Sequence, residues 1–138
     1  MPSPQSVSNS NGKITLLVVD DDDLSRKLLS RMLNIAGYET IGAQNGEEAL
    51  DLLEQHSFKA VLMDVLMPGI DGFEVCKRIR QNPATTAMPV LLFTALVDLD
   101  SASRGVESGV TEIIQKPPDY GKLSNLIKTI IKNEASPA

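Results

Sequence analysis

Strand-like and helix-like stretches alternate five times along this chain, and few architectures accommodate that pattern other than a parallel sheet covered by helices. The first stretch, Ile14 to Val19, is rich in β-branched residues and Leu and stops abruptly at four acids, Asp20 to Asp23. A run so apolar along its whole length reads as a strand buried on both faces. From Leu24 the period becomes helical. Leu24, Leu28, Met32 and Ile35 share one side, with Leu29, Leu33 and Ala36 adjoining; Asp22 or Asp23 can cap the start, and Gly37 ends it.

The alternation then repeats. Glu39 to Gln44 is a short second strand, and Asn45-Gly46-Glu47-Glu48 has the spacing of a capping box before the helical Ala49, Leu50 and Leu53. Ala60 to Asp64 is the third strand, four apolar residues running into a carboxylate. After the Met67 to Gly72 turn, Phe73, Cys76 and Ile79 recur at helical spacing up to Asn82-Pro83. Pro89 opens the fourth strand, Val90 to Thr94, and a more polar helix runs from about Asp98 to Ser108, closed by Gly109. A brief fifth strand, Glu112 to Gln115, leads through Lys116-Pro117-Pro118 to a last helix with a stripe of Leu123, Leu126, Ile127, Ile130 and Ile131. Residues 1–12 are Ser-, Asn- and Pro-rich and are expected to form a disordered tail; the folded domain spans 13–132, and 133–138 form a second short tail.

Right-handed crossovers place helices on both faces of such a sheet, and loops at the carboxyl ends of its strands build the site. The chemically capable residues fall there: Asp20 and Asp21 after the first strand, Asp64 after the third, Thr94 after the fourth, Lys116 after the fifth. Three carboxylates at one rim repel each other and call for a cation. An all-oxygen donor set suits Mg2+ or Mn2+. Asp64 then has the chemistry of a nucleophile toward phosphorus, with the Lys116 ammonium and the Thr94 hydroxyl to meet phosphoryl oxygens. Each residue also has a plainer reading. Acids after a strand cap helices, Lys116 suits a surface, Thr94 suits a satisfied strand end, and Asp71-Gly72 is a turn and cap. Cys76 lies on an apolar stripe and reads as inert core, and His56 as ordinary surface.

Composition narrows the function classes. A net charge of -5 argues against direct nucleic-acid binding, and no apolar run is long enough for a membrane span. The polar N-terminus does not look like a signal peptide, and a lone cysteine fits a reducing compartment, so a cytoplasmic location is expected.

The segments VVDDD, MDVLMPGIDG, PVLLFTA and GVTEIIQKP, in this order and spacing, closely resemble the receiver (CheY-like) domain of two-component response regulators over about Ile14 to Lys132. The resemblance implies a flavodoxin-like (βα)5 fold with strand order 2-1-3-4-5 and helices on both faces. It implies Asp64 as phosphoacceptor, Mg2+ held by Asp20, Asp21, Asp64 and the Leu66 backbone carbonyl, and Thr94 as the switch hydroxyl. Lys116 would contact the phosphoryl group, the Lys116-Pro117 bond would be cis, and Ala95 is the small residue that leaves the site accessible. The donor would be a phosphohistidine on a sensor histidine kinase or histidine phosphotransfer protein, or a small acyl phosphate. The output would be a downstream protein or attached domain engaged through the face of the fourth helix, fifth strand and fifth helix, with a phosphorylation-dependent homodimer as one form. Ile113 stands where the family usually has Tyr or Phe, so an apolar contact replaces an aromatic readout at that switch position. Leu66 and Leu96 occupy the positions that tune water access in the family, and both being apolar implies slow self-dephosphorylation. Asp23 and Pro118 are further departures from the common pattern.

Two other classes compete. A Mg-dependent phosphohydrolase would use Asp20 and Asp22 at its DxD spacing, but Leu24 stands where a Thr is expected. A flavin carrier needs a hydroxyl- and glycine-rich loop where this chain has acids that repel a phosphate.

Overall fold

The computed structural model describes residues 13–95 and 98–135, with side chains to 132. The expected N-terminal tail and Leu96 lie outside the described residues. The elements are β1 (Thr15–Val19), α1 (Asp23–Ile35), β2 (Glu39–Ala43), α2 (Gly46–Gln55), β3 (Ala60–Asp64), α3 (Gly72–Gln81), β4 (Val90–Thr94), α4 (Leu99–Ser108), β5 (Glu112–Gln115) and α5 (Tyr120–Ala135). All strand pairings are parallel, in the order β2-β1-β3-β4-β5. This is the doubly wound sheet that the alternation predicts.

Strand periodicity divides the core in two. Leu17, Val19, Val61, Met63, Val90 and Leu92 point to the side of α2 and α3, where Ala49, Val75, Cys76 and Ile79 meet them. Leu16, Val18, Leu62, Leu91 and Phe93 point to the other side, against Leu33 of α1 and Leu123, Ile127 and Ile131 of α5. Burial of each such Leu or Ile stabilises the fold by about 1.5–3 kcal/mol, so the three central strands anchor the molecule.

Helix starts are fixed by side-chain oxygens accepting backbone N–H groups: Asp22 from Ser25, Asn45 from Glu48, Asp71 from Glu74 and Asp98 from Ser101. The Glu48 carboxylate returns to the Gln44 N–H at 2.7 Å, closing the box one residue earlier than the usual form. At the opposite end of the sheet, Arg80 donates to the carbonyls of Gly109 and Met88 at 2.8 and 2.6 Å, tying α3 to the entrances of β4 and β5.

Three details differ from the sequence reading. Leu24 and Ile35 of α1 are 74% and 73% exposed, and Leu28 is also exposed; the inward side is Leu29 and Leu33. The apolar stripe of α1 is wider than the face the sheet and α5 cover. Helix α5 continues through Ala135, past the expected end at Lys132, because no Gly or Pro interrupts it before Pro137. His56 is half-buried at the end of α2, its ring 6.0 Å from that of Phe58, and its Nδ1 has no hydrogen-bond partner.

Candidate functional site

The carboxyl ends of β1, β3, β4 and β5 converge on one rim. Asp20 leaves β1 with its N–H on the Ala43 carbonyl of β2 at 3.1 Å, and its carboxylate accepts the Asp22 N–H at 3.0 Å. Asp21 follows, exposed. Asp64 is the last residue of β3, its side chain 12% exposed. Behind it, Gly72 starts α3 with its N–H on the Val65 carbonyl at 2.8 Å, and a Cβ there would stand 2.8 Å from the Asp64 carbonyl oxygen. Only glycine allows α3 this close to the end of β3.

One oxygen each from Asp20, Asp21 and Asp64 lies within 4.8 Å of the others. Lys116, just past β5, places its ammonium 2.9 Å from Asp64 Oδ1 and 3.8 Å from Asp20 Oδ2. Its backbone N–H donates to the Thr94 carbonyl at 2.9 Å, and the Lys116-Pro117 peptide is cis. Thr94 is buried at the end of β4.

Burial pushes the Asp64 carboxyl pKa above its ordinary value; the Lys116 hydrogen bond and charge oppose this, and the Asp20 and Asp21 charges reinforce it. Burial works against the Lys116 ammonium, but Asp64, with Asp20 and Asp21 behind it, outweighs that cost and raises its pKa. Three acids share one lysine, so a surplus of negative charge adds to the effect of burial at Asp64 and overcomes it at Lys116. Oxygen-only donors, close spacing and uncompensated charge together fit a hard divalent cation.

The rim opens into a cleft of about 450 Å³ lined by Asp20, Asp64 and Lys116 together with Leu28, Ala95, Pro117 and Tyr120. Leu66 sits two residues past Asp64 and is 74% exposed. Ile113 lies away from the rim, half-buried on β5, its Cδ1 2.5 Å from where a Cβ of Gly105 would stand. It packs tightly under α4. Cys76 is fully buried, and desolvation raises its thiol pKa, as expected of inert core.

Two arginines were not singled out from the sequence. Arg26 of α1 donates to the Asp20 carbonyl at 2.8 Å. Arg104 of α4 pairs with Asp71 at 2.8 Å and lies 4.5 Å above the Phe73 ring. The Asp23-Arg26 helical spacing was a visible signal for the first, whereas nothing local links residues 71 and 104.

A parallel doubly wound sheet with three acids and a lysine at its carboxyl rim defines an acid-site α/β protein. The family described as response regulator receiver domain matches residues 16–128, and the chain belongs to it. It is 36% identical over 118 residues to the transcriptional regulatory protein AfsQ1 of Streptomyces coelicolor, covering 86% of this chain and 51% of that protein. It is 38% identical over 117 residues to the response regulator PleD of Caulobacter vibrioides, covering 85% of this chain and 26% of that protein. Among solved structures, the chemotaxis response regulator CheY4 of Vibrio cholerae superposes with a TM-score of 0.80 at 30% identity, covering 86% of this chain and 98% of that one. The chain spans about half the length of the curated transcriptional regulators it matches, 46% of one and 51% of another. It is therefore a receiver domain of two-component signal transduction, a family that typically uses Mg2+ and interacts with histidine kinases and output domains. No described helix is long and apolar enough to cross a membrane.

Proposed function

We propose that residues 13–132 form a phosphorylation-operated switch in which Asp64 accepts a phosphoryl group. The observation that carries this is the placement of Asp64 Oδ1 2.9 Å from the Lys116 ammonium, within a cluster of three carboxylates open to a cleft. Asp20, Asp21 and Asp64, with the Leu66 carbonyl, would hold Mg2+ (Mn2+ is an equivalent hard ion). The ion supplies positive charge for phosphoryl oxygens. A carboxylate oxygen of Asp64 forms the new bond to phosphorus, and the P–N bond of a phosphohistidine breaks. Its electron pair leaves on the ring nitrogen, giving neutral imidazole with the proton on the other nitrogen. Lys116 balances charge on the transferred group, and the buried Thr94 is the hydroxyl one strand away that would turn to meet it.

The donor is a sensor histidine kinase or histidine phosphotransfer protein in the cytoplasm; exposed Leu28 in the cleft lining, with exposed Leu24 one turn earlier on α1, offers it an apolar footing. The output passes through α4, β5 and α5 to a downstream protein, an attached domain or a second copy. There Ile113 acts as a fixed apolar contact under α4 rather than as a rotating aromatic. The domain is a signalling phosphoacceptor that assists its own phosphorylation and dephosphorylation, the latter slowly.

Intact-mass measurement after incubation with Mg2+ and acetyl phosphate tests the reading. Wild type gains one phosphoryl group and Asp64→Asn gains none; no gain in wild type, or equal labelling of Asp64→Asn, overturns it.

A further inference from the structure

The β1–α1 turn carries two of the three carboxylates, and a turn holds a side-chain direction only as well as its peptide groups are fixed. Both sides of the Asp20 backbone are tied. Its N–H donates to the Ala43 carbonyl at 3.1 Å, and its carbonyl accepts from Arg26 Nη1 at 2.8 Å. Arg26 is itself confined, its side chain 12% exposed and its other terminal nitrogen paired with Asp23. Its stem crosses β2 at Gly42, where a Cβ would stand 3.2 Å from Arg26 Cδ.

We propose that Arg26 is a positioning residue for the carboxylate site. It fixes the Asp20-Asp21 peptide so that both side chains converge with Asp64, and Gly42 is the seat that keeps its guanidinium in place. The inference rests on the reading of the three acids as a Mg2+ site and adds a residue that touches none of the proposed ligand oxygens.

The sign of the effect separates positioning from charge. Arg26 is a cation beside acids, so removing its charge alone would strengthen Mg2+ binding. Removing an anchor for the ligands would weaken it, by about tenfold, the lower end of the range for lost outer partners of metal ligands.

Calorimetric titration of Mg2+ into the full chain compares wild type with Arg26→Met, which keeps the stem, Gly42→Ala, which crowds it, and Lys27→Met, which removes an exposed charge on the same helix. Arg26→Met is expected to lose about tenfold in affinity, Gly42→Ala to change in the same direction by less, and Lys27→Met to lose nothing. Unchanged or tighter binding by Arg26→Met, or an equal loss in Lys27→Met, overturns the proposal. If circular dichroism shows Arg26→Met unfolded, Gly42→Ala decides alone, and binding equal to wild type overturns it. A wild type that takes up no Mg2+ overturns instead the site reading beneath the inference.

Discussion

Helices α1 and α3 both start at the acid rim, and both are capped by an aspartate that accepts the N–H three residues on, at 2.8 and 2.9 Å. Beyond the cap they diverge. Helix α3 buries Gly72, Phe73, Val75, Cys76 and Ile79, whereas α1 buries only Leu33 and exposes Leu24, Leu28 and Ile35. The Asp64 side of the site is therefore held by core packing and close backbone approach. The Asp20 side is held by hydrogen bonds and leaves apolar surface uncovered. The phosphoacceptor site proposed above, which would keep Asp64 still while admitting a protein donor, calls for both kinds of wall.

Truncations along the two helices should separate them most. Ile79→Ala in α3 removes a fully buried side chain and is expected to cost about 3 kcal/mol, in the range for large-to-small core changes. Leu28→Ala in α1, at 49% exposure, should cost less than about 0.5 kcal/mol. Urea unfolding of both variants decides this, and equal losses would break the comparison. Gly72→Ala follows. Its Cβ would meet the Asp64 carbonyl oxygen at 2.8 Å and Val65 Cα at 3.0 Å, backbone atoms that cannot rotate away. A loss of about 2 kcal/mol is expected despite the better helix propensity of alanine. The same variant should lose phosphoryl uptake from acetyl phosphate, since β3 must shift. A fully active, equally stable Gly72→Ala would show that α3 does not fix Asp64.

The contrast between the helices also marks where the sequence was legible. β1, β3 and β4 are largely apolar because both faces are covered, and the polar residues at their ends, Asp20, Asp64 and Thr94, mark the rim directly. Helix caps were equally plain, since Asp22, Asn45 and Asp71 act within three residues. The inward face of α1 was not. Seven apolar residues spread over more of the helix than one sheet can cover, and choosing Leu29 and Leu33 over Leu24, Leu28 and Ile35 takes the tertiary packing of α5. The site acids were readable as residues at strand ends, while the Arg26 anchor and the Arg104 bridge depend on approaches between separate elements. His56, expected at the surface, is half-buried, with the Phe58 ring 6.0 Å from its own.

Arg104 tests how far the packed wall extends. Its guanidinium joins α4 to the Asp71 cap and the Phe73 ring of α3, at 2.8 and 4.5 Å. Arg104→Met keeps the stem and removes the charge. The expected loss is about 1 kcal/mol, because the pair is half-exposed and screened while the ring contact adds a fraction more. Urea unfolding in low and high salt checks it, with the difference from wild type shrinking as salt rises. No loss at low salt would show that the Arg104 contacts do not help to hold α4.

The smallest effect concerns Asp64, and its sign is informative. A carboxyl whose pKa is raised on folding contributes its stability below the unfolded value and loses it as pH rises through the folded value. At neutral pH the metal-free protein therefore carries the cost of ionising a buried Asp64, increased by the charges of Asp20 and Asp21. Replacing it with Asn removes that charge, and Lys116 retains Asp20 at 3.8 Å. Without Mg2+, Asp64→Asn should be more stable than wild type at pH 7 by less than about 1 kcal/mol, screening limiting the gain. The gap should narrow toward pH 3.8, the ordinary carboxyl value, where the raised pKa leaves the wild-type side chain more than half protonated. Thermal melts at the two pH values measure it. A less stable Asp64→Asn at pH 7 would mean that the 2.9 Å pair with Lys116 outweighs burial and the neighbouring acids. The packed wall would then stabilise Asp64 as an anion, and the crowded charge would sit wholly on the α1 side.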